Sequence, residues 1–288
     1  MEPVQFVICI TIGLAGGLLG GMLGIGGSLV MIPALAVLFG NHYGDQSQHL
    51  FQAAAMIVNL VVALAAVGRH WKAGAVRLDA VKGMAPAAFC AIFIGVAASE
   101  LLDGRVLMRC FAVFLIYVVL MNARKLIGEF KQSSSAGSSQ QNASPTHGNE
   151  DHDRAAQTGR VTVPRSLTVG SVMGFAAGLL GIGGGGIGVP LQQVMFRTPL
   201  RHCIGTSTFV ICITAGFGAI AKNYALTADE TYPLTTSLLL AGALAPGALV
   251  GAGFGASLTH RLPVRWVRAT FIVLLIVAGT KMGGLWGS

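Results

Sequence analysis

The sequence predicts an all-α polytopic membrane protein of two inverted-topology repeats. Each repeat is a broken-helix hairpin plus three transmembrane helices, giving 8 to 10 membrane segments in all. Three observations carry this prediction. Only 10% of the 288 residues are charged and 53% are hydrophobic, whereas a soluble domain carries about 25% charged residues. Several apolar runs reach or approach the roughly 20 residues that a helix needs to cross a bilayer. The apolar sequence also comes twice, on either side of one polar stretch.

The first half opens with an apolar block at 4–40, interrupted within "GLLGGMLGIGGSLVMIP", Gly17 to Pro33. Spans follow near 50–68, 83–102 and 108–127. "MEPVQF" lacks the basic region of a secretory signal, and the block behind it is too long for one, so it is read as part of the mature fold. Residues 129–165 are polar and rich in Ser, Gln and Asn. Such a segment buries too little apolar surface to order itself. It is expected to be a flexible cytoplasmic linker between a first repeat at 1–128 and a second at 166–288. Its "HGNEDHD" cluster is read as solvated loop rather than metal site. The second half has an interrupted block at 166–196, then spans near 203–221, 235–258 and 266–286. A block of 31 residues is too short for two full-length helices, so it is expected to enter, break at glycine and return as a shorter arm.

The halves repeat each other in residues as well as in plan. A shift of 157 aligns Gly17–Pro33 with Gly174–Pro190, and 8 of 17 positions are identical. "APAAFCAIFIG" at Ala85–Gly95 likewise matches "APGALVGAGFG" at Ala245–Gly255. Duplication followed by divergence accounts for both. Loop charge gives the relative orientation. The loop 41–49 carries −1 and 69–82 carries +3, whereas 197–202 carries +2 and 222–234 carries −1. By the positive-inside rule, equivalent loops lie on opposite faces, with the N-terminus out, the linker in and the C-terminus out. The loop holding Arg105 and Arg109 is a mild exception. The net charge of +8 is thereby assigned to topology and not to nucleic-acid binding.

Non-helical backbone survives in a bilayer only when buried in protein or lining a wet cavity. Breaks at equivalent positions of two inverted repeats point to a substrate site near the midplane. Gly26, Gly27 and Ser28, like Gly183 to Gly186, can turn successive N–H groups to one side as an anion nest. A helix resuming near Pro33 or Pro190 would begin with free N–H donors and a positive dipole end. The candidate binding residues are Gly24, Gly26, Gly27, Ser28 and Asn59 of the first half. In the second they are Gly181, Gly183, Gly184, Gly185, Thr206 and Ser207. Gly17, Gly21, Gly174 and Gly178 are read as close-packing glycines.

Gln52 and Asn59, seven apart, share one helical face. No Asp, Glu, Lys or Arg occupies the middle of a predicted span, which argues against a carboxylate proton relay and for a substrate held by dipoles and neutral donors. "GIGGGG" at Gly181–Gly186 matches GxGxxG, but it follows an apolar span rather than a strand, and no acidic residue lies about 20 positions on. No enzyme activity, cofactor or metal is expected.

The paired Gly-Ile-Gly-Gly…Pro blocks, Gly24–Pro33 and Gly181–Pro190, together with Gly205-Thr206-Ser207, resemble the TauE/SafE-type sulfite exporter family, also called the toluene sulfonate uptake permease family. The resemblance covers nearly the whole chain outside the linker. It implies a multi-pass protein of the bacterial inner membrane that moves sulfite, sulfonates or related sulfur-containing anions. Where the family often repeats Gly-Thr-Ser in its first half, this chain has Gln52-Ala53-Ala54-Ala55, so substrate contacts are expected to be lopsided. The main expectation is a secondary transporter, a probable exporter working by alternating access. A passive anion channel and a non-transporting membrane accessory subunit are the alternatives.

Overall fold

The computed structural model describes residues 3–23, 26–135, 161–228, 230–258, 272–273, 275–277 and 279–280. Nine helices form from these residues: α1 Pro3–Leu23, α2 Ser28–Tyr43, α3 Ser47–Lys72, α4 Leu78–Glu100, α5 Gly104–Ser135, α6 Val163–Leu180, α7 Gly185–Phe196, α8 Leu200–Ala228 and α9 Leu234–Leu258. Seven of them are long and apolar enough to cross a membrane. The chain is thus all-α and polytopic, as expected. The two arms after the glycine breaks are short. At 1.5 Å per residue, the 16-residue α2 spans about 24 Å and the 12-residue α7 about 18 Å, against a hydrocarbon core of about 30 Å.

The broken hairpins do not stand apart. α1 packs lengthwise on α9, and α6 packs lengthwise on α4, so the opening helix of each half lies against the other half. Gly13, Gly17 and Gly21 of α1 meet the backbone of Leu244, Ala248 and Ala252. Gly170, Gly174 and Gly178 of α6 meet the backbone of Met84, Ala88 and Ile92 in the same way. Residue numbers rise together along both seams, so both pairs run parallel. α3 and α8 pack between them in the opposite sense: Gly218 faces Met56, Gly216 faces Leu60 and Phe209 faces Trp71. α3 and α8 therefore run antiparallel where they meet.

The structure corrects several sequence boundaries. α5 continues to Ser135 and α6 begins at Val163, so both ends of the expected linker are helical; residues 136–160, including "HGNEDHD", lie outside the described residues. Pro33 and Pro190 sit inside α2 and α7, since the helices resume five residues earlier. Lacking an N–H, each proline leaves the carbonyl four residues back, that of Leu29 or Gly186, without its helical donor. α8 runs on to Ala228, through a stretch read as loop. It carries Lys222 into the bundle, where the residue is buried.

The seams give a steric prediction. A Cβ at Gly174 would lie 2.7 Å from the Ala88 Cα, whereas one at Gly242 meets nothing within 4 Å. Gly174→Ala is expected to lower stability by about 1–3 kcal/mol through overpacking. Gly242→Ala should be neutral or mildly stabilising. Thermal unfolding of both variants in detergent checks the contrast, and equal melting temperatures would contradict it.

Candidate functional site where two glycine breaks meet

The first break joins α1 to α2 through Gly26 and Gly27. Gly26 has φ +86°, a left-handed conformation that a side chain makes costly. Gly27 is the N-cap of α2, and its carbonyl accepts hydrogen bonds from the Val30 and Met31 N–H groups at 3.0 and 3.1 Å. It is wedged against α1: a Cβ there would lie 3.0 Å from the Gly16 carbonyl oxygen. Gly20 similarly abuts the backbone of Gly26 and Gly27. Ser28 follows, fully buried, with its Oγ unpartnered. Gly24 lies outside the described residues.

The second break is tighter. Gly181 caps α6 in a left-handed conformation, Gly183 and Gly184 also have positive φ, and Gly185 opens α7. A Cβ at Gly184 would lie 2.6 Å from Met173 Cγ. The Thr214 hydroxyl on α8 donates to the Gly183 carbonyl at 2.9 Å, tying this tip to α8. Nothing in the sequence reading singled out Thr214; its only signal was a hydroxyl within an apolar run.

The two breaks meet at one side chain of α3. A Cβ at Gly26 would lie 3.8 Å from Asn59 Oδ1 and 3.9 Å from the Ile182 carbonyl oxygen, and one at Gly183 would lie 3.2 Å from Asn59 Nδ2. Asn59 therefore stands between the tips. Gln52, two turns earlier on the same face, packs against Gly181, where a Cβ would come 2.6 Å from its own Cβ. Asn59 Nδ2 and both amide atoms of Gln52 are buried without a hydrogen-bond partner. Buried polar atoms rarely go unpaired, and each costs about 1–3 kcal/mol. Neither α2 nor α7 has an acidic residue in its first turn, so both present uncompensated positive ends.

The remaining candidates are committed elsewhere. The Thr206 hydroxyl accepts the Arg77 backbone N–H at 3.0 Å, which ties α8 to the start of α4. Ser207 Oγ accepts a hydrogen bond from Gln192 Nε2 at 2.6 Å, fixing α7 against α8. Both hydroxyls thus serve helix packing here, while Gly26, Ser28, Asn59 and Gly183 belong to the tips and their junction.

The family profile described as Sulfite exporter TauE/SafE matches residues 9–282. The chain belongs to this family. Similar proteins include the Probable membrane transporter protein MamO of Paramagnetospirillum magneticum, 28% identical over 286 residues, which are 95% of this chain and 44% of MamO. A Probable membrane transporter protein of Haemophilus influenzae is 25% identical, covering 96% of this chain and 97% of its own length. YunE of Bacillus subtilis, also a Probable membrane transporter protein, is 22% identical with 97% of each chain covered. This family member spans less than half the length of MamO but nearly all of the other two. No solved structure matches it significantly. Like these bacterial relatives it is a multi-pass protein of the cell membrane, in a family whose members similar to it are named probable membrane transporters.

Gln52→Leu tests the unpaired amide. Replacing a buried group that has lost its partners with an apolar one of similar size is expected to leave stability unchanged or raise it by about 1 kcal/mol. A clear drop in melting temperature in detergent would show that Gln52 has a structural partner.

Proposed function

We propose that this chain is a secondary transporter of small sulfur-containing anions such as sulfite or organosulfonates. It works by alternating access between two inverted repeats around the junction of the glycine breaks. The observation that supports the reading most directly is the set of unpaired buried donors on or beside the two breaks. Asn59 Nδ2, Gln52 Nε2 and Ser28 Oγ have no partner in the protein, and the tips beside them start α2 and α7. Amide and hydroxyl donors with helix N-termini are the chemistry that holds an anion without a fixed counter-charge. Gly27, Gly181, Gly184 and Gly185 shape the turns, and Gly24 belongs to the same break in the sequence.

The antiparallel meeting of α3 with α8 and the alternation of loop charge support opposite insertion of the two repeats. With an odd number of crossings per half, the N-terminus and C-terminus lie outside and the linker inside. Reporter fusions are expected to find the linker cytoplasmic; a periplasmic linker would overturn this topology.

Uptake and counterflow in proteoliposomes, across sulfite, thiosulfate, sulfonates and sulfate, test the function. The wild type is expected to carry at least one reduced sulfur anion or sulfonate with trans-stimulation, which a channel does not show. Gly27→Val and Gly184→Val should abolish flux while the protein still inserts. Asn59→Leu should lower flux by about tenfold or more, the equivalent of one lost hydrogen bond to a charged group. Unchanged flux in all three variants would reject the junction as the substrate site.

A further inference from the structure

Lys222, which the sequence reading left in a loop, is a buried cation on α8. Its Nζ donates to Ser99 Oγ at 2.6 Å and lies 3.6 Å from Glu100 Oε1. Ser99 Oγ in turn lies 2.8 Å from the Val96 carbonyl oxygen, to which it can donate. On the other side of the carboxylate, His49 Nδ1 of α3 lies 3.5 Å from Glu100 Oε2. The opposite ring nitrogen, Nε2, is 3.1 Å from the Leu102 carbonyl oxygen.

That last contact sets the tautomer. A carbonyl can only accept, so Nε2 carries the hydrogen. In neutral His49 the Nδ1 lone pair then faces the Glu100 carboxylate, acceptor against acceptor, and Nδ1 is indeed buried without a hydrogen-bond partner. One added proton turns this gap into an Nδ1–H···Oε2 hydrogen bond. With Lys222 protonated, Glu100 ionised and His49 neutral, the three groups sum to zero. The added proton, taken from water, brings them to +1 without breaking any bond within the protein.

The position suits a proton that must come and go. A cavity of about 130 Å³ lies over the cluster, lined by Gln46, His49, Glu100, Leu102, Asp103 and Thr231 among others. Glu100 keeps 24% of its side-chain surface exposed while Lys222 keeps 1%. Water thus reaches the carboxylate but not the ammonium. His49 comes from α3, Lys222 from α8, and Asp103 reaches the same cavity from the turn after α4. No other titratable side chain lines the cavity among the described residues. The ion pair between Asp45, in the turn before α3, and Arg105, at the start of α5, is exposed.

The same helices lead to the substrate junction. His49 is ten residues from Asn59 on α3, about 15 Å along the axis, and Lys222 lies one turn beyond Gly218, where α8 meets Met56 of α3. The cluster also takes Lys222 from the second half and His49 and Glu100 from the first. A displacement of α8 against α3 and α4 would separate the ammonium from the carboxylate and from Ser99.

We propose that His49, Glu100 and Lys222 form the proton site of this transporter, so that one proton moves with each monovalent anion. The inference rests on the transport reading above. Anion and proton together are neutral, so co-transport leaves the loaded carrier with no net added charge.

The test uses the purified full chain in proteoliposomes, with radiolabelled methanesulfonate and thiosulfate as probes whose charge does not change between mildly acidic and neutral pH. Counterflow at equal pH on both sides reports transport itself; if the wild type moves neither probe, the transport reading fails. With transport present, an acidic exterior one pH unit below the interior is expected to drive about tenfold accumulation of methanesulfonate. Glu100→Gln should abolish that accumulation yet retain counterflow. His49→Gln, which removes the group that takes the proton, should abolish it as well, and the double variant Glu100→Gln/Lys222→Met, which removes both charges of the pair, guards against simple misfolding. Gradient-driven accumulation that survives in Glu100→Gln would overturn the proposal. A second readout needs no substrate: pH-difference infrared spectra of the wild type should show an imidazole component that His49→Gln lacks. Identical spectra for the two proteins would overturn the proposal on their own.

Discussion

A helix broken inside hydrocarbon exposes peptide groups that only protein can cover, and both breaks here are covered by helices brought very close. Glycine is a poor helix former, about 1 kcal/mol per residue worse than alanine, yet α1 and α6 are studded with it. The compensation is contact. Gly13, Gly17 and Gly21 let α1 touch the α9 backbone, and Gly16 and Gly20 let the other side of the same helix reach the backbone of Gly27 and Gly26. α6 does the equivalent against α4 through Gly170, Gly174 and Gly178. Each opening helix is therefore held by the opposite half, and each break is sealed by the helix that precedes it.

That sealing decides what lies at the centre. Two helices resume at Ser28 and Gly185, and their breaks adjoin Asn59, with Gln52 packed on the second break at Gly181. Because backbone and not side chain fills the approach, the junction holds amides, hydroxyls and N–H groups rather than charges. Thr214 fastens the second break to α8 through the Gly183 carbonyl. Gln192 and Ser207 clamp the short arm behind it. The unpaired amides of Gln52 and Asn59 thus sit within a frame whose other polar groups are largely engaged.

The glycine breaks were legible because the same spacing occurs twice, and one helix alone would have looked like ordinary close packing. Asn59 stood out as an amide isolated in an apolar run, but its position between the two breaks was not legible, because that depends on how α3 packs. The partner of Thr206 was not legible, because it is a backbone N–H 129 positions away in sequence, a separation that no local pattern reports. Lys222 was missed because hydropathy ends a span at the first charge. The helix continues since Ser99 and Glu100, from the end of α4, supply the solvation that water would otherwise give. The prolines were assigned to helix starts on good general grounds, but the glycines just before them had already let the helices begin.

Fixed dipoles and titrating groups do different things for an anion. A helix end contributes roughly half an elementary charge, so two ends together offset about one negative charge at the junction. That offset does not titrate, whereas a cluster of a histidine, a carboxylate and an ammonium changes its charge when a proton binds. The His49–Glu100–Lys222 group is built from both halves of the chain, as is the junction of the two breaks. On the proposed reading coupling follows from geometry, because α3 and α8, which frame the junction, are also the helices that hold the proposed proton site together.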